Sequence, residues 1–505
     1  MDTPVLIVGA GPTGLLLAAE LRRRGVECML IDAREEANRW DRATIVHSRT
    51  LELMATIGLA DRFLAAGVHQ WGIRIFSAGE QLAEMDLANC GSRYGFSLNV
   101  SEEVTESIIT DYLDEQGGAV ERGRKLVGLA EQGDQMLATI EHDGGSEEIR
   151  AGWVVGCGGL HSPVRALTGI PFEGHDIPAP WAVFDATLAG WASDLDVNFG
   201  FLDLPPVIIT PLPGARWRVY LRPSSPDSDL VAEAAAVLGR YDPGAELVEI
   251  ENPRRFHCNT KVAARYRQGR ALLAGDAAHV CTPGQGHGMN TGIQDSFNLA
   301  WKLAHVVRGE ADEALLDSYE AERRPVALGI LASGDAMEAG LMIGDDPAAR
   351  AERDRAMKAA FADPESNHRE VLAEVELNID YGGSPIVAGD SEGLAAGSRL
   401  PTELQELIPG PDHSLLLAAT DEESHAAGAG LLESGLGAEA DGFFEQVRVL
   451  SVDPELAAEL VLDGLTILAV RPDHHLGLRH DEPDQAAIRG YVERVRSGGG
   501  GSEFS

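Results

Sequence analysis

Three glycines near the start of the chain have the spacing of a phosphate-binding turn. Gly9, Gly11 and Gly14 form the pattern G-x-G-x-x-G. In such a turn the first glycine permits a tight bend, the second lets a pyrophosphate approach the backbone, and the third lets a helix pack closely on a strand. The helix that follows directs unpaired N–H groups and a partial positive charge towards the phosphates. The pattern therefore predicts a dinucleotide site.

A carboxylate further along the chain has the position of a ribose ligand. Asp32 closes an apolar run that starts at Val26. In dinucleotide-binding folds, an acid at the end of the second strand accepts hydrogen bonds from a ribose. Arg39, Arg42 and Arg49 lie in the polar segment that follows, which predicts either a basic loop along the pyrophosphate or a solvated loop.

A second group of residues that could bind a ligand lies just past the middle of the chain. Asp276 closes an apolar run that begins at Arg270, and a glycine-rich loop over residues 284–290 follows it. A carboxylate at the carboxyl end of a parallel strand can bind ribityl hydroxyls. Backbone N–H groups at the start of the next helix can stabilise negative charge on the edge of a flavin ring. The alternative for this group is a glycine-rich turn with ordinary caps, but its coupling to the first group favours a shared site.

Hydrophobic periodicity indicates the elements that must position these residues. Residues 5–8 are a short β-rich run, suited to a strand that is buried on both faces. A helix follows the first glycines, and residues 291–308 repeat apolar side chains at helical spacing. Residues 4–21 are nearly all apolar, but Glu20 interrupts them and no basic residue precedes them. A signal peptide or membrane anchor is therefore disfavoured.

Composition narrows the class of protein further. The chain has 505 residues and a net charge of −39, which predicts roughly two to four domains and argues against nucleic acid or an anionic membrane as a partner. Its five cysteines are scattered without a C-x-x-C pair, so neither a disulfide framework nor a metal site is expected. These features predict a cytoplasmic protein, and they leave its oligomeric state undetermined. Residues 497–505 have the composition of an appended glycine-rich linker and are left out of the fold.

A change of composition marks a different kind of structure over residues 172–259. Residues 216–222 alternate apolar and polar side chains, as in a half-buried strand of an antiparallel sheet. Such a sheet can line a pocket for a flat apolar substrate, or its aromatic face can simply be core. The large aromatic side chains concentrated in this region are Trp181, Phe184, Trp191, Phe199, Phe201, Trp217 and Tyr220.

Four further segments give the chain a resemblance to a known family. They read GRALLAGDAAH over residues 269–279, PGQGHGMNTGIQD over 283–295, NLAWKL over 298–303 and YEAERRP over 319–325. Together with the first glycine motif, they resemble the class A FAD-dependent aromatic hydroxylases. This is the family of p-hydroxybenzoate hydroxylase and of the phenol and polyketide hydroxylases. The resemblance covers residues 4–330.

The resemblance implies a monooxygenase that binds FAD, uses NADPH as a transient cosubstrate and consumes O2. A flavin C4a-hydroperoxide would deliver oxygen to a phenolic or polyketide-like aromatic substrate. The resemblance identifies no catalytic base. The residues implied to hold FAD are Gly9, Gly11, Gly14, Asp32, Arg42 and Asp276, and those implied to face the isoalloxazine are Pro283, Gly286, Gly288, Met289 and Asn290.

The resemblance also implies an α/β architecture. A Rossmann-like FAD-binding domain would comprise residues 1–72, 99–172 and 260–330. An inserted antiparallel-sheet substrate domain would comprise residues 73–98 and 173–259. A helical connection over residues 331–385 would lead to a C-terminal thioredoxin-like α/β domain over residues 386–496.

Three positions depart from the pattern of this family. Gly158 stands where an acid shared between flavin and nicotinamide binding is usual. Ser101 and Glu106 stand where a glutamine and an arginine usually open the helix near the flavin. Gly158 follows a predicted strand, and a positive φ could be the reason for glycine there. These departures favour an alternative hypothesis, a FAD-scaffolded non-redox enzyme such as a Diels–Alder cyclase in polyketide biosynthesis. A flavin-binding regulator without catalysis is the third hypothesis.

Overall fold

The computed structural model describes residues 1–37, 43–191, 196–389, 393–408, 410–433, 442–482 and 484–499. Arg42, which the family resemblance assigns to FAD binding, lies outside these residues. In the part of the chain that is described, no helix combines the length and the apolar character that a membrane span requires.

The strands of the described residues are short, and most of them belong to three large sheets. In chain order they are β1 (Thr3–Val8), β2 (Cys28–Asp32), β3 (Ile45–Val46), β4 (Val68–Gln70), β5 (Gly72–Ser77), β6 (Glu80–Asp86), β7 (Ser97–Asn99), β8 (Val120–Arg122), β9 (Lys125–Gln132), β10 (Gln135–His142), β11 (Gly145–Gly156), β12 (Phe172–Asp176), β13 (Trp181–Ala189), β14 (Val197–Phe201), β15 (Val207–Leu212), β16 (Arg216–Leu221), β17 (Glu246–Phe256), β18 (Asn259–Ala263), β19 (Arg267–Gln268), β20 (Ala271–Leu273), β21 (His279–Val280), β22 (Ala388–Gly389), β23 (Ser414–Ala419), β24 (Gln446–Ser451), β25 (Leu465–Val470) and β26 (Leu476–His480).

The helices of the described residues include two long ones near the middle of the chain. In chain order they are α1 (Pro12–Arg23), α2 (Ser48–Thr56), α3 (Ala60–Ala66), α4 (Glu102–Glu115), α5 (Pro163–Thr168), α6 (Leu230–Tyr241), α7 (His287–Val307), α8 (Asp317–Leu341), α9 (Pro347–Ala362), α10 (Pro364–Glu374), α11 (Thr402–Gln405), α12 (Glu422–Glu433), α13 (Pro454–Glu459) and α14 (Gln485–Arg496).

The first sheet has parallel strands at its centre. Strand β1 pairs in parallel with β2 and β11, and β11 pairs in parallel with β20. The strand order is β19–β20–β11–β1–β2–β8, and the antiparallel strands β10 and β9 continue from β11. Residues 5–8 are all buried, as the apolar run predicts for a strand with neighbours on both edges. This is the Rossmann-like sheet that the glycine motif requires.

The turn after β1 and the start of α1 each contain a residue that must be glycine. Gly9 has a φ of 111°, and a Cβ at this position would collide with the backbone of Cys157. A Cβ on Gly14 would collide with the carbonyl oxygen of Gly9. Helix α1 therefore packs directly on the turn, and only glycine permits this approach.

The second sheet has seven strands in the order β17–β13–β16–β15–β14–β5–β6. Its neighbours are antiparallel, as expected, except that β14 and β5 run parallel. Its strands lie in the chain between strands of the first sheet, which makes it an insertion. The exact residue limits of the domains stay a prediction, because strand pairing defines the centres of the sheets rather than the borders between domains.

Strand β16 is more buried than its sequence pattern indicates. The prediction of a half-buried strand is wrong, because Arg218 and Arg222 are each only 6% exposed. The Arg218 guanidinium donates hydrogen bonds of 2.8 and 3.0 Å to the Asp185 carboxylate on β13. Arg222 forms an ion pair with Glu338 of α8. A buried charge is tolerated when it is paired, and both partners come from other segments of the chain.

The C-terminal sheet has the order β22–β26–β25–β23–β24, in which β23 and β24 are parallel and β25 is antiparallel to its neighbours. With the helices around it, this mixed sheet is the expected thioredoxin-like α/β unit. Arg471 joins it to the rest of the chain by donating two hydrogen bonds of 2.7 Å to Glu322 of α8. Lys302 of α7 donates to the same carboxylate at 2.6 Å. This buried cluster ties α7 and α8 together, and both helices border the site described next.

Candidate active site

A cavity of about 1500 Å³ brings most of the predicted site residues together. It runs from the end of β2, past the glycine turn, to the face of the seven-stranded sheet and to α8 and α10. Gly14 and Asn290 do not belong to its wall, and Arg42 lies outside the described residues. The predicted residues on its wall are Gly9, Gly11, Asp32, Asp276, Pro283, Gly286, Gly288 and Met289.

Gly11 marks the phosphate end of the cavity. It is the N-cap residue of α1, with a φ of −84°, and no side chain caps this helix in the described structure. A Cβ on Gly11 would meet nothing closer than Glu106 Oε1, at 3.9 Å. The space in front of Gly11 is therefore open, and the unpaired N–H groups of the first turn of α1 border it. This geometry fits a pyrophosphate.

Asp32 is held in an ionised and fixed position. Its Oδ2 accepts a hydrogen bond of 2.8 Å from the N–H of Ala10, and its Oδ1 accepts one of 2.8 Å from the N–H of Arg34. The Arg34 guanidinium adds two bonds of 3.0 Å. Burial alone would raise the pKa of Asp32, but these donors outweigh burial and lower the pKa below its usual value.

Asp276 presents an exposed carboxylate to the cavity from a short 3-10 turn (Gly275–Ala277). Strand β20 ends at Leu273, so the acid lies just past the strand rather than closing it as predicted. Asp295 of α7 fixes this turn by accepting hydrogen bonds from the N–H of Gly275 at 3.0 Å and from the Arg323 guanidinium at 2.7 Å. The rigid turn suits a carboxylate that binds hydroxyl groups.

We expect Asp276→Asn to bind FAD about fivefold more weakly than the wild type. An amide oxygen still accepts hydrogen bonds, but a charged acceptor is roughly twice as strong, which corresponds to a loss of about 1 kcal/mol. Quenching of flavin fluorescence during titration of the apoprotein with FAD measures the affinity. Asp143→Asn, in the exposed turn between β10 and β11, is the matched control, and equal affinity of the two variants would contradict the assignment.

The glycine-rich loop forms the other end of the cavity. Pro283–Gln285 is a 3-10 turn, and Gly286 follows in the left-handed region with a φ of 71°. Helix α7 begins at His287, earlier than the predicted residue 291, and no described side chain caps it. Its first N–H groups are therefore available beside the cavity, as a flavin ring edge would require.

Asn290 shapes this end of the cavity from behind its wall. The side chain is completely buried, and its oxygen accepts a hydrogen bond of 2.9 Å from the N–H of His47. Its amide nitrogen donates to the carbonyl oxygens of Ile45 and Gly286, each at 2.8 Å. Asn290 thus ties the first turn of α7 to β3. Its place facing the isoalloxazine stays a prediction.

The structure brings acidic and imidazole side chains to the cavity that sequence reasoning missed. His287 Nδ1 lies 2.9 Å from Glu376 Oε1, and Glu374 lines the same wall. Burial lowers the pKa of His287, but the hydrogen bond and charge of Glu376 outweigh burial and raise it above its usual value. The two acids follow α7 by a long stretch of helical sequence, and no motif singles them out.

The three positions that depart from the family pattern have distinct surroundings. Gly158 lines the cavity with a φ of −81°, so the idea that a positive φ requires glycine there is wrong. Ser101 caps α4 by accepting a hydrogen bond from the N–H of Val104, and it is not part of the cavity wall. Glu106 does line the cavity, and burial together with the charge of Glu102 raises its pKa to about 7.

The aromatic side chains of the second sheet divide between cavity and core. One part of this aromatic face therefore lines a pocket and another part is core, so both interpretations apply. Phe184 and Trp217 belong to the hydrophobic core of the seven-stranded sheet, and Trp191 packs against that core. Trp181 and Tyr220 line the cavity from outside that core, whereas Phe199 and Phe201 border the cavity but pack in the same core as Trp217.

The residues present fit FAD. At one end of the cavity, the uncapped start of α1 leaves an open position for phosphates. At the other end lies the uncapped start of α7. Asp32 and Asp276 place carboxylates where hydroxyl groups of the cofactor would lie. Comparison with known proteins agrees, because residues 2–333 match the FAD binding domain family. Fold and site together thus define a flavoprotein.

Individual relatives show which class of flavoprotein the chain belongs to. A rifampicin monooxygenase of Streptomyces venezuelae is 36% identical over 340 residues, which cover 65% of this chain and 69% of that protein. A 12-dehydrotetracycline 5-monooxygenase/anhydrotetracycline 6-monooxygenase of Streptomyces rimosus is 31% identical over 499 residues, covering 94% of this chain and 95% of that protein. The solved structure of OxyS anhydrotetracycline hydroxylase from Streptomyces rimosus is 29% identical, covers 99% of both chains and superposes with a TM-score of 0.78. The chain belongs to the class A FAD-dependent aromatic hydroxylases, and it is a flavin-dependent monooxygenase with FAD as cofactor.

Proposed function

We propose that the protein uses NAD(P)H and O2 to hydroxylate a polycyclic, polyketide-like phenol that binds in the cavity beside FAD. The observation that carries this proposal is the continuity of the cavity. It joins the phosphate-binding turn to the aromatic face of the seven-stranded sheet in a single space. The similarity to tetracycline hydroxylases along almost the whole chain supports a substrate of this size and class.

The residues of the chain would perform three tasks in this reaction. Gly11, Asp32 and Asp276 would hold the cofactor, and the first turn of α7 would stabilise negative charge at its ring edge. Trp181 and Tyr220, with Ile208 and other apolar side chains on the cavity side of the sheet, would receive the aromatic substrate and exclude water. FAD, when bound, would accept electrons from the nicotinamide and use them to activate O2.

The cyclase alternative is not favoured, because the relatives compared above are named as monooxygenases or hydroxylases. The departure at Gly158 remains the observation behind that alternative. It bears on how fast a nicotinamide reduces the flavin, an effect that the variant Gly158→Asp tests.

Isotope labelling tests the proposed activity directly. The holoenzyme is incubated with NADPH, isotopically labelled O2 and either anhydrotetracycline or alizarin as a polycyclic phenol. We expect consumption of NADPH and a product that carries one labelled oxygen atom, as measured by mass spectrometry. A product that contains no labelled oxygen, and that also forms with 5-deaza-FAD, which does not activate O2, would overturn the proposal in favour of a reaction without oxygen transfer.

A further inference from the structure

The cavity wall contains a buried carboxylate with no hydrogen-bonding partner. Glu374 is the last residue of α10, lines the cavity and is 8% exposed. Within the described residues, no group hydrogen-bonds to its carboxylate, and its oxygens do not belong to the fully buried polar atoms that lack a partner, so they remain open to the cavity. A carboxylate that lacks a protein donor, sits on a mostly buried side chain and opens to a ligand cavity is free to accept a hydrogen bond from a bound molecule.

The neighbouring acid shows the contrast. Glu376 also lines the cavity, but its carboxylate is fully engaged by groups on α7. His287 lies 2.9 Å from it, the Thr291 hydroxyl donates to it at 3.2 Å, and the Gln294 amide donates to it as well. Glu376 is thus part of the framework of the site, whereas Glu374 keeps its accepting capacity for a bound molecule.

We propose that Glu374 is a catalytic residue that accepts a hydrogen bond, and then the proton, from a phenolic hydroxyl of the substrate. This inference rests on the proposed function and deepens it by naming the group that activates the substrate. In the step, the phenolic O–H bond breaks, its proton forms a new O–H bond on the Glu374 carboxylate, and the electron pair stays on the phenolate oxygen. The phenolate donates this density into the ring, which makes the ring a better nucleophile towards oxygen.

The charged groups around Glu374 suit a proton acceptor near neutral pH. Burial raises the pKa of Glu374 to about 7, the His287 imidazolium opposes the rise, and Glu376 and Glu370 add to it. His47, whose ring centroid lies 5.1 Å from that of His287, has a pKa lowered by burial to about 4 and is therefore neutral. Below its pKa Glu374 is protonated and cannot accept a proton, and above its pKa it is ionised and can. A base of this pKa is well matched to work near pH 7.

A binding experiment with two probes that differ in one hydroxyl tests the inference. The holoenzyme with oxidised FAD is titrated with 2-naphthol and with 2-methoxynaphthalene by isothermal calorimetry, well below and well above the Glu374 pKa of about 7. At the higher pH we expect the wild type to prefer 2-naphthol by about tenfold, because only this probe can donate to the carboxylate. At the lower pH we expect the preference to shrink severalfold.

Glu374→Gln should remove both the preference and its pH dependence, while Glu365→Gln should behave like the wild type. Glu365 lies on the same helix and is exposed. Equal binding of the two probes by the wild type at both pH values, or no binding of either up to its solubility limit, would overturn the inference even if the Gln variant did not fold. No reduction or hydroxylation occurs in this experiment, so its outcome is separate from that of the labelling experiment.

Discussion

Replacing Gly11 by valine is expected to give a folded protein that binds FAD far more weakly and loses it during purification. The backbone at Gly11 is extended, with a φ of −84° and a ψ of −176°, so a β-branched residue fits without strain. The nearest atom to a new Cβ is Glu106 Oε1 at 3.9 Å, so the valine side chain would occupy the open space. That space is where the pyrophosphate approaches the helix, and we expect the affinity for FAD to fall more than a hundredfold, which corresponds to about 2.7 kcal/mol.

FAD content after purification and a thermal unfolding curve of the apoprotein measure the two parts of this result. Gly239→Val, on α6, is the matched control, because a Cβ there meets no atom within 4 Å and the residue does not line the cavity. If Gly11→Val retained FAD at the wild-type level, the phosphates would have to bind elsewhere.

Restoring the acid at position 158 is expected to accelerate reduction of the flavin about tenfold. The backbone there, with a φ of −81° and a ψ of 17°, accepts any residue. A Cβ would lie 3.2 Å from Pro163 Cδ and 3.6 Å from the carbonyl oxygen of Val8, so a small shift of the proline ring accommodates aspartate. The family resemblance implies that an acid here helps to bind the visiting nicotinamide, and each 1.4 kcal/mol of differential transition-state binding gives about a tenfold rate.

Anaerobic stopped-flow bleaching of the flavin by NADPH measures this rate directly. We expect slow bleaching in the wild type, faster bleaching in Gly158→Asp, and the same FAD content in both proteins. Gly239→Asp introduces the same charge outside the cavity and should leave the rate unchanged. Fast, substrate-stimulated bleaching in the wild type would show that Gly158 does not limit reduction.

The sequence by itself determined the parts of the molecule whose constraints are local. Gly14, in the first turn of α1, must be glycine because it packs on the carbonyl oxygen of Gly9, only five residues earlier in the chain. The strand before this turn and the helix after it follow from apolar runs whose spacing matches the periods of these elements. The family-specific segments around Asp276 then predicted the cofactor and the class of reaction. For these features, residue type and spacing carry the information because each structural requirement lies within one short stretch of chain.

Only the tertiary structure decided which polar groups are buried, paired or free. Arg218 and Arg222 looked solvent-facing from their alternation, yet carboxylates from β13 and α8 allow their burial. Asn290 accepts a hydrogen bond from the N–H of His47 from behind the cavity wall, a contact that its place in the glycine-rich loop does not indicate. Glu374 differs from an ordinary glutamate at a helix end because its helix packs against the cavity. The physical reason is the same in each case. The free-energy cost of burying a polar group depends on the partners that distant segments bring to it, and sequence spacing does not encode those partners.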